Sequence, residues 1–138
     1  IILSHDKVGY NYRMPNLNAS LGLAQLSNLN QILKAKKKIH QIYKIIFKNN
    51  KYFDLFLEKK HSKSNHWLNT LLIKKKDIKL RNKILFSLNK RNIFCRPTWK
   101  LLHKLPMYKK CPKDDLKIAN ELEKQIITLP SSPNLILK

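Results

Sequence analysis

Arg96, Trp99 and His103 fall within one short stretch, residues 94–108, FCRPTWKLLHKLPMY. A guanidinium is a planar fork that matches a phosphate or carboxylate, and an indole is a flat face for a sugar or a base. An imidazole can donate a hydrogen bond beside them. Arg96 and Trp99 stand where a short strand ends, so a loop could present both to a ligand. The same residues also describe a Trp packed in a small core next to a surface Arg, a common arrangement on ordinary domains.

Residues 8–26, VGYNYRMPNLNASLGLAQL, form a second stretch with chemical potential. Gly9 gives the backbone freedom beside two aromatics, and Asn11 and Arg13 carry polar groups out of an otherwise closed aromatic turn. Pro15 starts a helix whose first turns put Leu17, Leu21 and Ala24 on one face. Residue by residue, a turn feeding an amphipathic helix accounts for this stretch equally well.

Other chemistries find less support. Cys95, His103 and Cys111 match no common zinc spacing, and no CxxC pair is present, so no metal site is expected. His5, His40, His61 and His66 are scattered and read as surface or core residues. Gly9 and Gly22 are the only glycines, too few for a phosphate-cradling loop. No Ser-His-Asp or Cys-His grouping can be argued from the order of residues.

The elements that must position these groups follow from periodicity. A helical pattern runs from Pro15 to about Phe47, with Ile32, Ala35, Ile39, Ile42 and Ile46 on one face and a break or bend expected at Ser27–Asn30. Lys59–Asn65 is a polar link. Trp67–Ile73 reads as a buried strand, and Asp77 caps a helix carrying Leu80, Ile84, Leu85 and Leu88 inward. Asn92 takes the left-handed position after that helix. Ile93–Arg96 is a second short strand ended by Pro97, followed by a turn-rich segment to Pro112. Asp114 or Asp115 caps a third helix bearing Leu116, Ala119, Leu122 and Ile126, which LPSSP at Leu129–Pro133 terminates. One long helix followed by strand, helix, strand and helix predicts an α/β or α+β domain around a small sheet.

Composition narrows the class. The 138 residues suit one domain, and no apolar run is long enough to cross a membrane. Ile1 stands where an initiator Met would, so the chain is expected to be the later part of a longer product. Residues Ile1–Leu3 run straight into SHDK, which reads as no secretory leader. Cys95 and Cys111 are therefore expected to be reduced thiols in a cytoplasm. The net charge of +21 suggests a polyanion partner. However, it comes from 25 Lys and only 4 Arg, in company with abundant Ile and Asn, the signature of an AT-rich genome. Arg is the residue suited to bidentate phosphate and base contacts. The charge is therefore read as compositional, and no specific nucleic acid is expected as a partner.

Four segments, VGYNYRMPNLNASLGLAQL, NHWLNTLLI, RPTWKLLHKLPMY and LPSSPNL, resemble in this order the DegT/DnrJ/EryC1/StrS family of sugar aminotransferases that use pyridoxal phosphate. NHWLNT and RPTWKLLH are most similar to the branch acting on nucleotide-linked 4-keto-6-deoxy sugars. The resemblance implies the small C-terminal domain of a type I aminotransferase fold over 15–138, with 1–14 as the end of the large cofactor domain and interface turn. It implies that Asn11 reaches the cofactor phosphate of the neighbouring subunit in a homodimer with shared active sites, supported by Arg13. Arg96, Trp99 and His103 would line the nucleotide-sugar side. The lysine that binds the cofactor and the acidic partner of its ring belong, in the family, to segments preceding Val8. No catalytic residue is therefore assigned here, and the chain alone is expected to be inactive.

Two readings follow. One is a C-terminal portion of a cytoplasmic enzyme that moves an amino group from a donor such as glutamate to a nucleotide-linked keto-deoxy sugar, in the making of surface glycans. The other is a small basic module that binds nucleic acid or another polyanion.

Overall fold

Asn28 divides the long helical pattern into α1 (Asn16–Ser27) and α2 (Leu29–Ile46) in the computed structural model, which describes residues 4, 6–10 and 14–137. In an uninterrupted helix the Ala24 carbonyl would accept from the Asn28 N–H. It accepts instead from the Ser27 hydroxyl at 2.7 Å and the Asn28 amide at 3.2 Å, while the Asn28 N–H turns to Gln25. Short polar side chains have outcompeted the backbone, and of the break or bend expected here the chain takes the break.

The two helices have different surroundings. α1 buries no residue: Leu17 and Leu21, aligned on one face as expected, are 80% and 62% exposed. In α2, Ala35 and Ile39 are buried as expected, but the inner stripe then passes through Tyr43 and Phe47. Ile42 and Ile46, expected on that stripe, face outward.

Four antiparallel strands form one sheet in the order β1-β2-β4-β3. They are β1 (Phe53–Leu55), β2 (Asn69–Ile73), β3 (Arg96–Pro97) and β4 (Ile126–Leu129). Leu71 pairs with Ile127 at the centre. Leu71, Ile73, Ile127 and Leu129 build the core with Leu85 and Cys95, covered by Tyr43 of α2, by Phe47 at its C-cap and by Leu80, Ile84 and Leu88 of α3 (Ile78–Lys90). This is the expected helix-and-small-sheet architecture, with an α+β arrangement.

Several boundaries differ from those read in the sequence. β1 was not anticipated. Three residues at the sheet edge show only part of an alternation, and long-range pairing with Leu71–Ile73 makes them a strand. Ile126 was expected on the third helix, but α4 (Lys117–Glu123) stops before it. Gln125 ends the helix by gripping Ile73: its carbonyl accepts from the Ile73 N–H at 3.0 Å and its amide donates to the Ile73 carbonyl at 2.8 Å. The β-branched run Ile126-Ile127-Thr128 then enters the sheet. Pro97, expected to end a strand at Ile93–Arg96, lies within β3, an edge position where its missing N–H costs no ladder bond.

The cap of α3 and the left-handed residue after it are as expected, whereas neither Asp114 nor Asp115 is the cap of α4, which is Leu116. The Asp77 carboxylate accepts from the N–H groups of Lys79 and Leu80 at 2.9 and 3.1 Å, and Asn92 takes a left-handed φ of 61°. The Asp115 carboxylate accepts from the Lys117 N–H at 2.9 Å, one position before the residue that caps α4. Gly9 is a correction. Its φ is not positive, and a Cβ there would meet nothing within 4 Å, so the described backbone does not require glycine.

Candidate functional site

β3 ends the sheet at one edge and delivers the segment read as chemically active. Pairing with β4 fixes Arg96 opposite Thr128, whose hydroxyl donates to the Arg96 carbonyl at 3.0 Å. The backbone is thereby anchored while the Arg96 side chain stays exposed, with no ion pair among the described residues. Trp99 follows three residues later and is 52% exposed, so it is not the buried indole of a small core. Between them, the buried Thr98 hydroxyl has no hydrogen-bond partner among the described residues.

His103 lies on a short 3-10 turn, Leu102–Lys104, half-buried against an apolar cavity of about 520 Å³ with Tyr108, Cys111 and Leu116. Arg96 and Trp99 do not line that cavity. Two of the three residues therefore share the strand end, and His103 faces a separate recess. Asn11 and Arg13 lie outside the described residues.

Sequence reading missed what surrounds the start of β2. Trp67 approaches Trp99, with ring centroids 6.5 Å apart and planes 36° to each other. His66, read as a scattered residue, is buried and stacks on His40 at 4.2 Å. His40 Nδ1 meets Asn69 Oδ1 at 2.8 Å. The Asn69 amide and its backbone N–H both donate to the Ser131 hydroxyl at 3.0 Å, which donates onward to the Leu129 carbonyl. Since the amide nitrogen is committed to Ser131, Oδ1 accepts and His40 carries a proton on Nδ1. α2 holds the same corner from its own side: Lys36 donates to the Ser131 carbonyl at 2.8 Å and Tyr43 to the Pro130 carbonyl at 2.9 Å. The only sequence signal for this corner was a polar Asn inside an otherwise apolar strand.

Burial and neighbouring charge tune the corner. Burial, and then the adjacent His40, hold the His66 imidazole below its ordinary value of 6.5. Burial also lowers the Lys36 ammonium. The Ser64 N–H, donating at 2.7 Å, holds the exposed Glu58 carboxylate low.

The described residues do not form a cradle for pyridoxal phosphate. Its chemistry needs a free lysine and an acid facing the ring nitrogen. The two partly buried lysines are already engaged, Lys36 with backbone carbonyls and Lys104 with the Glu123 carboxylate. Among the described residues no cluster of three or more His, Cys, Asp or Glu could hold a metal ion. Cys95 is a buried free thiol and Cys111 an exposed one. No described helix is long and apolar enough to cross a membrane. What the strand end presents is an exposed guanidinium at Arg96 and an exposed indole at Trp99.

Residues 2–138 match the model of the DegT/DnrJ/EryC1/StrS aminotransferase family. The chain is 34% identical over 137 residues to a GDP-perosamine synthase of Vibrio cholerae, covering 95% of this chain and 36% of that protein. A GDP-perosamine synthase of Escherichia coli O157:H7 is 36% identical over 135 residues, covering 95% and 35%. The fold is similar to that of Helicobacter pylori PseC, an aminotransferase involved in the biosynthesis of pseudoaminic acid. The TM-score is 0.81 at 29% identity, covering 95% of this chain and 36% of that one. The chain thus spans about a third of the length of the curated relatives it matches.

Proposed function

Because the chain belongs to the DegT/DnrJ/EryC1/StrS aminotransferase family, we propose that it forms the small C-terminal domain of a nucleotide-sugar aminotransferase. The enzyme would transfer an amino group from a donor such as glutamate to a nucleotide-linked keto-deoxy sugar for surface-glycan synthesis. Residues 15–138 form the domain in this reading, and 1–14 lead out of the large domain. The observation that carries the proposal is likeness to sugar-nucleotide enzymes over nearly all of this chain but a third of theirs.

The family's aminotransferases depend on pyridoxal phosphate. Since the described residues offer no lysine and acid for it, the cofactor's chemistry falls to the part of the enzyme this chain does not span. This chain contributes the substrate side. Arg96 supplies an exposed cation for the diphosphate and Trp99 a flat face, while His103 donates from its recess. Asn11 and Arg13 belong to the turn that meets the partner subunit's cofactor phosphate in a homodimer. A cytoplasmic location fits an enzyme using nucleotide sugars.

The test is an assay of the 138 residues alone and joined to the coding sequence upstream of Ile1. The isolated chain should show no transfer, and the extended product should aminate a keto-sugar nucleotide. Turnover by the isolated chain, or an upstream frame lacking a cofactor-lysine region, would overturn the proposal.

A further inference from the structure

The indole of Trp67 is 65% exposed, yet the backbone that carries it is hydrogen-bonded on both sides. The Ser64 N–H donates to Glu58, the His66 N–H to the Ser64 hydroxyl at 2.9 Å, and the Trp67 N–H to the Asn65 side-chain oxygen at 3.0 Å. Lys36 reaches the Trp67 carbonyl at 3.5 Å while gripping Ser131. Between these bonds His66 adopts a left-handed φ of 50°, a conformation that costs a residue with a Cβ, and its ring is wedged against His40. An exposed side chain carried on a strained, pre-set loop is the expected arrangement for a ligand contact that must not reorganise on binding.

The loop brings the Trp67 indole to Trp99, so the two exposed rings make a continuous aromatic surface at the end of the sheet where Arg96 also emerges. Nothing else among the described residues combines these features. The cavity beside His103 is apolar, and in that beside α3 the polar Arg81 and Asn89 are already bonded to the chain's own carbonyls, while the exposed face of α1 carries no charge pattern that identifies an occupant.

We propose that Trp67 is a substrate contact which, with Trp99, forms a stacking surface for the planar base of a nucleotide. This inference rests on the assignment of Trp99 to the substrate side. A base presents a delocalised face whatever its edge pattern, so the pair would confer affinity for nucleotides with only modest preference among bases. The diphosphate would lie toward the exposed guanidinium of Arg96.

The chain holds only two tryptophans, so its fluorescence excited beyond the tyrosine absorption band reports on this pair alone. Titration of the 138-residue chain at physiological salt with GDP, UDP, a hexose phosphate and inorganic diphosphate should give saturable quenching by the two nucleotides only. Trp67→Ala, read through Trp99, and Trp99→Ala, read through Trp67, should each raise Kd by about five- to a hundredfold, with Trp67→Phe recovering much of the loss. Circular dichroism of each variant should match the parent. Nucleotide binding that survives Trp67→Ala but fails in Trp99→Ala would overturn the role of Trp67 and leave the aminotransferase reading standing. Equal quenching by diphosphate or hexose phosphate, or no quenching by nucleotides, would overturn the stacking surface itself. The aminotransferase reading is decided separately, by amino transfer.

Discussion

His40 Nδ1 and Asn69 Oδ1 lie 2.8 Å apart, and this bond ties the middle of α2 to the first residue of β2. Asn69 is 2% exposed, and its amide continues the chain of bonds to Ser131. A helix, a strand and the LPSSP segment therefore meet through one buried side chain, two residues from Trp67. Fully satisfied polar networks of this kind fix one geometry, and an incomplete one is costly.

Asn69→Ala should lower the unfolding free energy by about 2–4 kcal/mol, since it strands the His40 N–H and removes the side-chain donor to Ser131, leaving only the backbone N–H of residue 69 on that hydroxyl. Asn69→Asp should be less damaging, because it preserves the acceptor for His40. Urea unfolding followed by circular dichroism measures both. A loss below about 0.5 kcal/mol for the alanine variant would show that the bonds are replaced by water.

Acid should loosen this corner. His66 is held below 6.5 in the folded chain by burial and His40, with Lys37 and Lys36 adding to the effect and Glu58 opposing it. Below pH 6.5 the unfolded chain gains a proton that folded His66 refuses. The stability linked to neutral His66 is thus complete above about pH 6.5 and is lost as pH falls through the lower folded value. Thermal melting from pH 7.5 to 5 should show a declining Tm, with a smaller decline in His66→Gln. An identical decline in both would place the effect elsewhere.

Any binding to DNA or RNA should be weak, independent of sequence and abolished by moderate salt, because it arises from dispersed lysines. Filter binding against ionic strength measures this. Sequence-selective binding that persists at physiological salt would favour the basic-module reading.

How much the sequence revealed varied with the range of the forces involved. The Asp77 cap, the left-handed Asn92 and the break beside Ser27 depend on atoms a few residues apart, and all three were legible. Strand β1 and the conversion of Ile126 from helix to sheet depend on pairing with β2, across roughly 20 and 50 residues, which local pattern does not encode. Arg96 and Trp99 were legible because one segment carries both. Trp67 was read only as the start of a strand, and His66 and His40 as unrelated, because their contacts exist only once α2, β2 and β3 are assembled.

In the extended enzyme, Asn11→Ala should weaken retention of pyridoxal phosphate by about tenfold or more, since a lost neutral donor to a charged group costs roughly 1.5–3 kcal/mol. If Asn11 acts across the dimer, mixing this variant with one lacking the cofactor lysine should restore part of the activity, because one site in each heterodimer escapes both lesions. No recovery despite demonstrated subunit exchange would remove Asn11 from the partner's site.

The most direct measurement follows isotopically labelled amino nitrogen from glutamate into a keto-deoxy sugar nucleotide, catalysed by the extended enzyme and its Arg96→Ala variant. The label should appear in the sugar nucleotide. Arg96→Ala should raise KM for the sugar nucleotide by about tenfold, as expected for loss of a charged hydrogen bond, with cofactor content unchanged. Absence of label from the sugar nucleotide, in an extended enzyme shown to hold its cofactor and tested with a panel of keto sugars and amino donors, would contradict the account.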